Sequence, residues 1–498
     1  MKKVILILII FSLIFISFFV FKKEEEKQKN NSISIILETE EGNLKSEKFP
    51  DKQSYVFDKI TCKNSKNNVV PTFDKNDWKL KINIEEEKID GNFICDIYFK
   101  KQTYNVEVIV KNGTIVGETS KSITHGNSAT FTVNPSSGYG NPTVTCTNSQ
   151  KGSISGNIAT VSNVTNNTTC TVTYNPFATT TIIANALPHE SHNIGLIKIE
   201  QDATDQTPAL TEYRYSGKTV NNYIEFNNET WRIIGVFKVD DGTGKYENRL
   251  KLVREDSIGL YSWDTSSSSV NSGYGISQWG ESGTYEGADL MRLLNPGYTG
   301  INGSLYYNSS SGTCYVYNNN ATSSCNFSNT GLKNDAKEMI DTVKWYTAIT
   351  INGTTAHESY MAEREDITRT ETDGVTRLPY WVGKVALIYP SDYGYSSSGC
   401  RNGEQMINYY EKEPCYNTSW LYDSSVYVTL TPVGNWLIRT IGIGGPVLGG
   451  YCSGTSTQRV NVRPTVYLKP EVIITSGNGS VNNPYEISLW NLGLKYYF

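Results

Sequence analysis

Histidine is scarce in this chain, with four residues in 498, and the scarcity narrows the chemistry open to it. His189 and His192 stand three apart around Glu190, one residue short of the H-E-x-x-H spacing that brings two imidazoles to one zinc. Pro188 precedes them, and they read as a solvated linker. His125 and His357 are isolated and read as structural or surface residues. No G-x-S-x-G serine or P-loop is present, and Gly442-Ile443-Gly444-Gly445-Pro446 lacks the lysine and helix start of a phosphate loop. Asp240-Asp241-Gly242-Thr243-Gly244 lacks the alternating acids and closing glutamate of a calcium loop and reads as a hairpin turn. Charged residues make up 19% and the net charge is −5, which argues against a nucleic-acid partner. No cofactor or metal is expected. Acid pairs such as Glu363 with Glu365 exist, but sequence does not set the carboxylate separation that a glycosidase needs.

What the chain does have begins with an apolar run from Val4 to Phe21, interrupted only by Ser12 and Ser17. As a helix it is roughly 27 Å long, close to the hydrocarbon thickness of a bilayer. The run ends in Phe18-Phe19-Val20-Phe21 and a charged stretch, Lys22 to Glu26, with no small-residue pair for a signal peptidase. An uncleaved signal-anchor is therefore expected, with the membrane as a partner through this N-terminal helix. Lys22, Lys23, Lys27 and Lys29 outnumber Lys2 and Lys3, which on a simple count puts the C-terminal side in the cytoplasm. Long domains, however, cross largely regardless of such charges.

The cysteines favour export. Nine are present, and none shows the C-x-x-C spacing of zinc or redox sites. In order they make four local pairs, Cys62 with Cys95, Cys146 with Cys170, Cys314 with Cys325 and Cys400 with Cys415, leaving Cys452 over. Closing loops of this size is worth about 3–4 kcal/mol in the entropic model. Disulfides persist outside the cytosol, so residues after about 30 are expected on the outer side of a cell membrane.

Strand-like alternation and turn residues divide the rest. Residues 1–30 are the anchor and charged stalk, 31–103 a small β domain, 104–176 a second β module and 177–192 a linker. Residues 193–498 form one head, with helices expected over Ala288–Leu294, stopped by Asn295-Pro296-Gly297, and over Gly331–Tyr346. In the latter, Leu332, Ala336, Met339, Ile340 and Val343 recur at helical period. The second module, with VEVIVKNGTIVGETSKSI, ATFTVNPSSGYG and VSNVTNNTTCTVTY in order, resembles the small β repeats of bacterial surface proteins of the Listeria–Bacteroides type. That resemblance implies a spacer or adhesive stalk. The head carries NNYIEFNNETWRIIGVF, LVREDSIGLYSWD, ADLMRLLNPGY, WVGKVALIYPSDYGY, NWLIRT and NVRPTVYLKPEVIITSGNGSVNNPYEI. It resembles an uncharacterised domain of anchored surface proteins from low-GC Gram-positive bacteria, and its layout is similar to C-type-lectin-like folds. The implied fold is mainly β with an α+β head: two small β modules, then a loop-rich, C-type-lectin-like domain with two short helices.

Candidate contact residues follow from the same segments. Trp263, Trp279, Trp381 and Trp420 lie in or beside polar loops rich in Ser, Gly and Tyr, where indoles stack on sugars or anchor a protein; packing within the loops is the competing reading. Arg439 and Arg463 are either ligand clamps or donors to backbone carbonyls of long loops. The expected function is non-catalytic display or adhesion, the head binding a glycan or a surface protein. The alternative is a surface hydrolase acting on wall or host polysaccharide.

Overall fold

The computed structural model describes residues 33–40, 42–43, 48–64, 72–81, 93–187, 194–266, 275–317, 321–349, 354–409, 411–423, 425–434, 436–442, 450–455 and 458–490. The apolar run Val4–Phe21 lies outside them; among the described residues no helix is long and apolar enough to cross a membrane. The fold is mainly β, as the alternating sequence pattern predicts. The six described α-helices are all short: α1 Ala178–Ile183, α2 Asp289–Leu294, α3 Asn334–Met339, α4 Ala356–Ala362, α5 Pro390–Ser396 and α6 Glu413–Tyr416. The chain divides into two compact units, Met1–Ser137 with Asn141–Asn175, and Gly138–Gly140 with Pro176–Phe498.

The first unit holds both small modules. In the first, Ile33–Thr39 runs parallel to Phe93–Lys101, and Tyr55–Asn64 pairs antiparallel on the other side, with Cys62 directly opposite Cys95. Leu37, Trp78, Ile97 and Phe99 fill its small core, with the Phe57 and Phe73 rings stacked 4.4 Å apart against them. The second module is two four-stranded sheets. Its last strand, Thr168–Pro176, again runs parallel to its first, Thr103–Lys111. Alternation places Cys170, Val172 and Tyr174 inside, opposite Phe131 and Val133 of Ala129–Pro135. One residue, Gln102, separates the strands of the two modules, and His125 spans the joint. Its N–H donates to Gln102 O at 2.7 Å, and its Nε2 lies 3.1 Å from Ser54 Oγ.

The second unit is built on a nine-stranded sheet and a separate five-stranded one. The long strand Glu229–Asp240 is the axis of the first, pairing with Tyr223–Phe226, Tyr246–Arg254 and Leu210–Ser216. Close approach of Leu210–Ser216 needs Gly235, where a Cβ would stand 2.1 Å from Tyr213 O. Helix α1 lies in the stretch read as a linker; Ala178 and Ile182 are buried in the same core as Ile233, Leu252 and Trp345.

Helix α2 forms where the sequence places one. The second expected helix, over Gly331–Tyr346, is corrected: only Asn334–Met339 is helical, and Val343–Tyr346 is a strand paired with Tyr380–Gly383. Ile340 bridges to Leu468, which ends the helix. Leu332, Ala336, Met339, Ile340 and Val343 are all buried, so the apolar face was real but is shared between a helix and a strand. Four disulfides join Cys62–Cys95, Cys146–Cys170, Cys314–Cys325 and Cys400–Cys415, the pairs read from chain order. Cys452 stands on Gly450–Thr455, in register with Thr440. Peptide mapping of the oxidised protein without reduction is expected to return these four linkages; bridges between the small modules and the head would contradict the fold.

Candidate functional site

The six side chains expected at a binding surface are dispersed through the head, and five of them are buried. Trp263 and Trp279 are fully buried, with rings 5.6 Å apart. Trp381 meets Trp279 edge-on at 6.3 Å and is half-buried, its ring against Gly280 and Gly383. A Cβ on Gly383 would sit 1.9 Å from that ring. Trp420 is buried; its Nε1 donates to Tyr215 O at 2.9 Å, and the Arg232 guanidinium lies 4.9 Å from its ring. Arg439 is fully buried. Arg463 donates from Nε to Arg254 O at 2.6 Å and from Nη2 to Glu255 Oε2 at 3.2 Å. These placements fit the competing readings, packing within the loops for the tryptophans and donation to a backbone carbonyl for Arg463. Where loops make up much of a domain they are themselves packed, and indole is the side chain that fills most volume there.

Two polar constellations went unread in the sequence. The first lies beside the stacked tryptophans. Asp264 Oδ2 accepts from Ile276 N at 2.6 Å, and its Oδ1 accepts from Ser266 Oγ at 3.1 Å. Asp289, the first residue of α2, accepts from Thr265 N at 2.8 Å and Thr265 Oγ1 at 2.5 Å. Both carboxyls are buried. Burial, and then the neighbouring Asp289 charge, push Asp264 up to about 7; burial also raises Asp289.

The second is a closed ionic cluster inside the head. Asp392 sits in the first turn of α5, where Tyr389 N–H donates to its Oδ2 at 2.8 Å and Pro390 supplies a preset φ. Arg214 Nη1 donates to its Oδ1 at 2.9 Å, and Lys251 Nζ to its Oδ2 at 2.5 Å. Arg214 is itself held by Glu212 Oε2, at 2.9 Å from Nε and 2.8 Å from Nη2. Gln201 Nε2 completes the Glu212 shell at 3.1 Å. Glu363, at the end of α4, accepts from Ser391 N at 2.9 Å and Ser391 Oγ at 2.6 Å, with Arg364 Nη1 at 3.2 Å. Three cations, Arg214, Lys251 and Arg364, thus match three carboxylates, Glu212, Glu363 and Asp392. Around Lys251 Nζ stand the rings of Tyr389 at 4.2 Å, Phe237 and Tyr467 at 5.4 Å and Trp345 at 5.6 Å.

Burial lowers Lys251 to about 8 against the pull of Asp392. Burial also works to raise Asp392, but the Lys251 and Arg214 charges overcome it and hold the carboxyl below its ordinary range. Glu363 is raised, because its burial outweighs Arg364 and Ser391. The signal for Asp392 was in YPSDYGY, where proline and then an acid open a helix. Lys251 stands in a strand run, RLKLVR, and carries no local mark that its charge faces inward.

Among the described residues no three His, Cys, Asp or Glu side chains converge as a metal site. A groove of about 580 Å³ runs along Glu118–Ile123 in the second module. No family model, curated protein or solved structure matches the chain.

Two outcomes follow. Trp279→Ala is expected to cost about 3–5 kcal/mol of folding stability in denaturant titration, the price of an emptied core site; a surface indole would cost far less. Asp264 keeps its proton in the fold to about pH 7, while in the unfolded chain it loses it near 3.8. Between those values the folded state binds the extra proton, so its contribution falls as pH rises, by at most about 1.4 kcal/mol per pH unit. Asp264→Asn is expected to flatten the stability–pH curve of the protein across that window; an unchanged slope would contradict the assignment.

Proposed function

We propose that this chain is a bacterial cell-surface protein, anchored in the membrane through Val4–Phe21, whose head binds a glycan or a protein without catalysis. The observation that carries the reading is the set of four disulfides, which lie in both small modules and in the head. Bridges spread in this way suit an oxidising compartment and not a reducing cytosol. In this reading the modules at 31–103 and 104–176 are spacers, the second a small β repeat of the Listeria–Bacteroides type. The head is a C-type-lectin-like domain of the anchored surface-protein kind. The ions of its buried cluster are matched to one another, which supports a structural use for them and leaves recognition to the surface.

The strand Tyr380–Gly383 supplies a contact face in place of the buried tryptophans. Tyr380 is 43% exposed and Val382 40%, alternating with the inward Trp381. The Lys344 ammonium lies 4.2 Å from the Tyr380 ring. An aromatic ring and an apolar side chain on one strand, with a cation from the strand paired to it, suit a sugar face or a protein partner. The alternative reading is a surface hydrolase acting on polysaccharide; the Asp264–Asp289 carboxyls are the pair it would draw on, and both are buried.

Protease added to intact, wall-stripped cells is expected to digest the chain down to a small anchor; full protection would refute the topology. On glycan and wall-fragment arrays the head is expected to bind without hydrolysis. Tyr380→Ala should weaken that binding by about 2 kcal/mol with an unchanged melting temperature. Cleavage of array samples, lost in Asp264→Asn, would replace the binding reading with the hydrolase.

A further inference from the structure

Each small module sets its first and last strands side by side and parallel. In the first module seven residue pairs run from Ile33 opposite Phe93 to Thr39 opposite Phe99. In the second, six run from Val106 opposite Thr168 to Lys111 opposite Thr173. The chain therefore enters each module at one end of this pair and leaves it at the other. A pull on the two ends of the chain draws the paired strands past each other along their own axes. The evenly spaced hydrogen bonds of the parallel ladder are then loaded all at once. Loading both strands from a shared end would break the same bonds one at a time. Gln102 alone separates Phe93–Lys101 from Thr103–Lys111, so load passes from one module to the next with no slack between them.

We propose that these two parallel pairs are force-bearing clamps in series, which keep the modules folded when the chain is pulled between its anchor and a bound head. The source of the tension rests on the surface reading above; the clamps themselves rest on strand order. Other contacts belong to the same device. The inner side of the first pair is closed to water by Leu37, Ile97 and Phe99, that of the second by Val106, Val108 and Val172. Side chains bracket the second pair at both ends. Asn105 N donates to Asn167 Oδ1 at 2.8 Å where the strand enters, and Asn112 Nδ2 donates to Tyr174 O at 2.9 Å at the far end. On its other side each last strand pairs with a neighbour to which a disulfide fastens it, Cys95 to Cys62 and Cys170 to Cys146. The bridge stops the last strand from sliding past that neighbour, which leaves the parallel pair as the place that must yield. It also keeps the residues inside each closed loop out of the path that tension can extend.

Single-molecule force spectroscopy of the full chain, loaded in two geometries, tests the proposal. In one the chain is held by its two ends. In the other it is held by its C-terminus and by an azide-bearing residue substituted at the exposed Lys111, which stands at the same end of the second pair as Thr173. The second module is expected to unfold at a force several times higher in the first geometry than in the second. Unfolding under force follows the barrier along the pulling path, so equal equilibrium stability does not equalise the two forces. Under end-to-end load, reduction of the disulfides should lengthen the two module steps by about 115 and 85 Å, from loops of 33 and 24 residues at roughly 3.5 Å each, which marks them among the steps of the head. Equal forces in the two geometries would overturn the clamp, and so would module steps that reduction leaves unchanged. Protection of the intact chain from external protease would refute the surface reading and leave the difference in force standing.

Discussion

The head depends on a constraint of charge: three cations and three carboxylates are taken out of water together, and each must find its counterpart. Glu212 and Arg214 come from one strand, Lys251 from another, Glu363 and Arg364 from the end of α4, and Asp392 from the start of α5. Asp392 joins the two strands to α5 through Arg214 and Lys251, and Ser391 joins α5 to Glu363 at the end of α4; removing a partner of Asp392 strands a buried charge at a cost of several kcal/mol. Hydrophobic burial around the cluster supplies the driving force, but it is non-directional. Charge matching, together with the fixed geometry of the Arg214 fork, sets which strand faces which helix. The aromatic shell of Phe237, Trp345, Tyr389 and Tyr467 belongs to the same device, because it excludes the water that would otherwise loosen the ion contacts.

The small modules solve a different problem. Each buries one face of a short chain and would fray at its ends. In both, the final strand runs parallel beside the first, and a disulfide fixes that final strand to a neighbour: Cys95 to Cys62, Cys170 to Cys146. Such units suit a spacer, whose task is to persist rather than to change shape.

Much of this was legible from local pattern. Period-two runs marked the strands of the modules, and cysteine order marked the bridges, because each pair closes a local loop. What was not legible depends on distant partners. The run from Leu332 to Val343 has helical spacing, yet Leu468 and the strand Tyr380–Gly383 compete for its second half and win. Trp263, Trp279 and Trp420 sit among Ser, Gly and Tyr as a binding loop would have them, but burial is a property of what packs on top. Lys251 and Asp392 lie too far apart in sequence for any spacing rule to join them.

The central claim is that matched burial of charge holds the head together. The most direct measurement compares Arg214→Met with Lys198→Ala by denaturant titration of the full chain. Lys198 pairs with Glu200 at 2.6 Å on the surface, with both side chains largely in solvent. The account predicts a loss of about 3–5 kcal/mol for Arg214→Met, because Glu212 is left buried and unpaired. It predicts about 0–1 kcal/mol for Lys198→Ala. Equal, small losses in the two variants would contradict it.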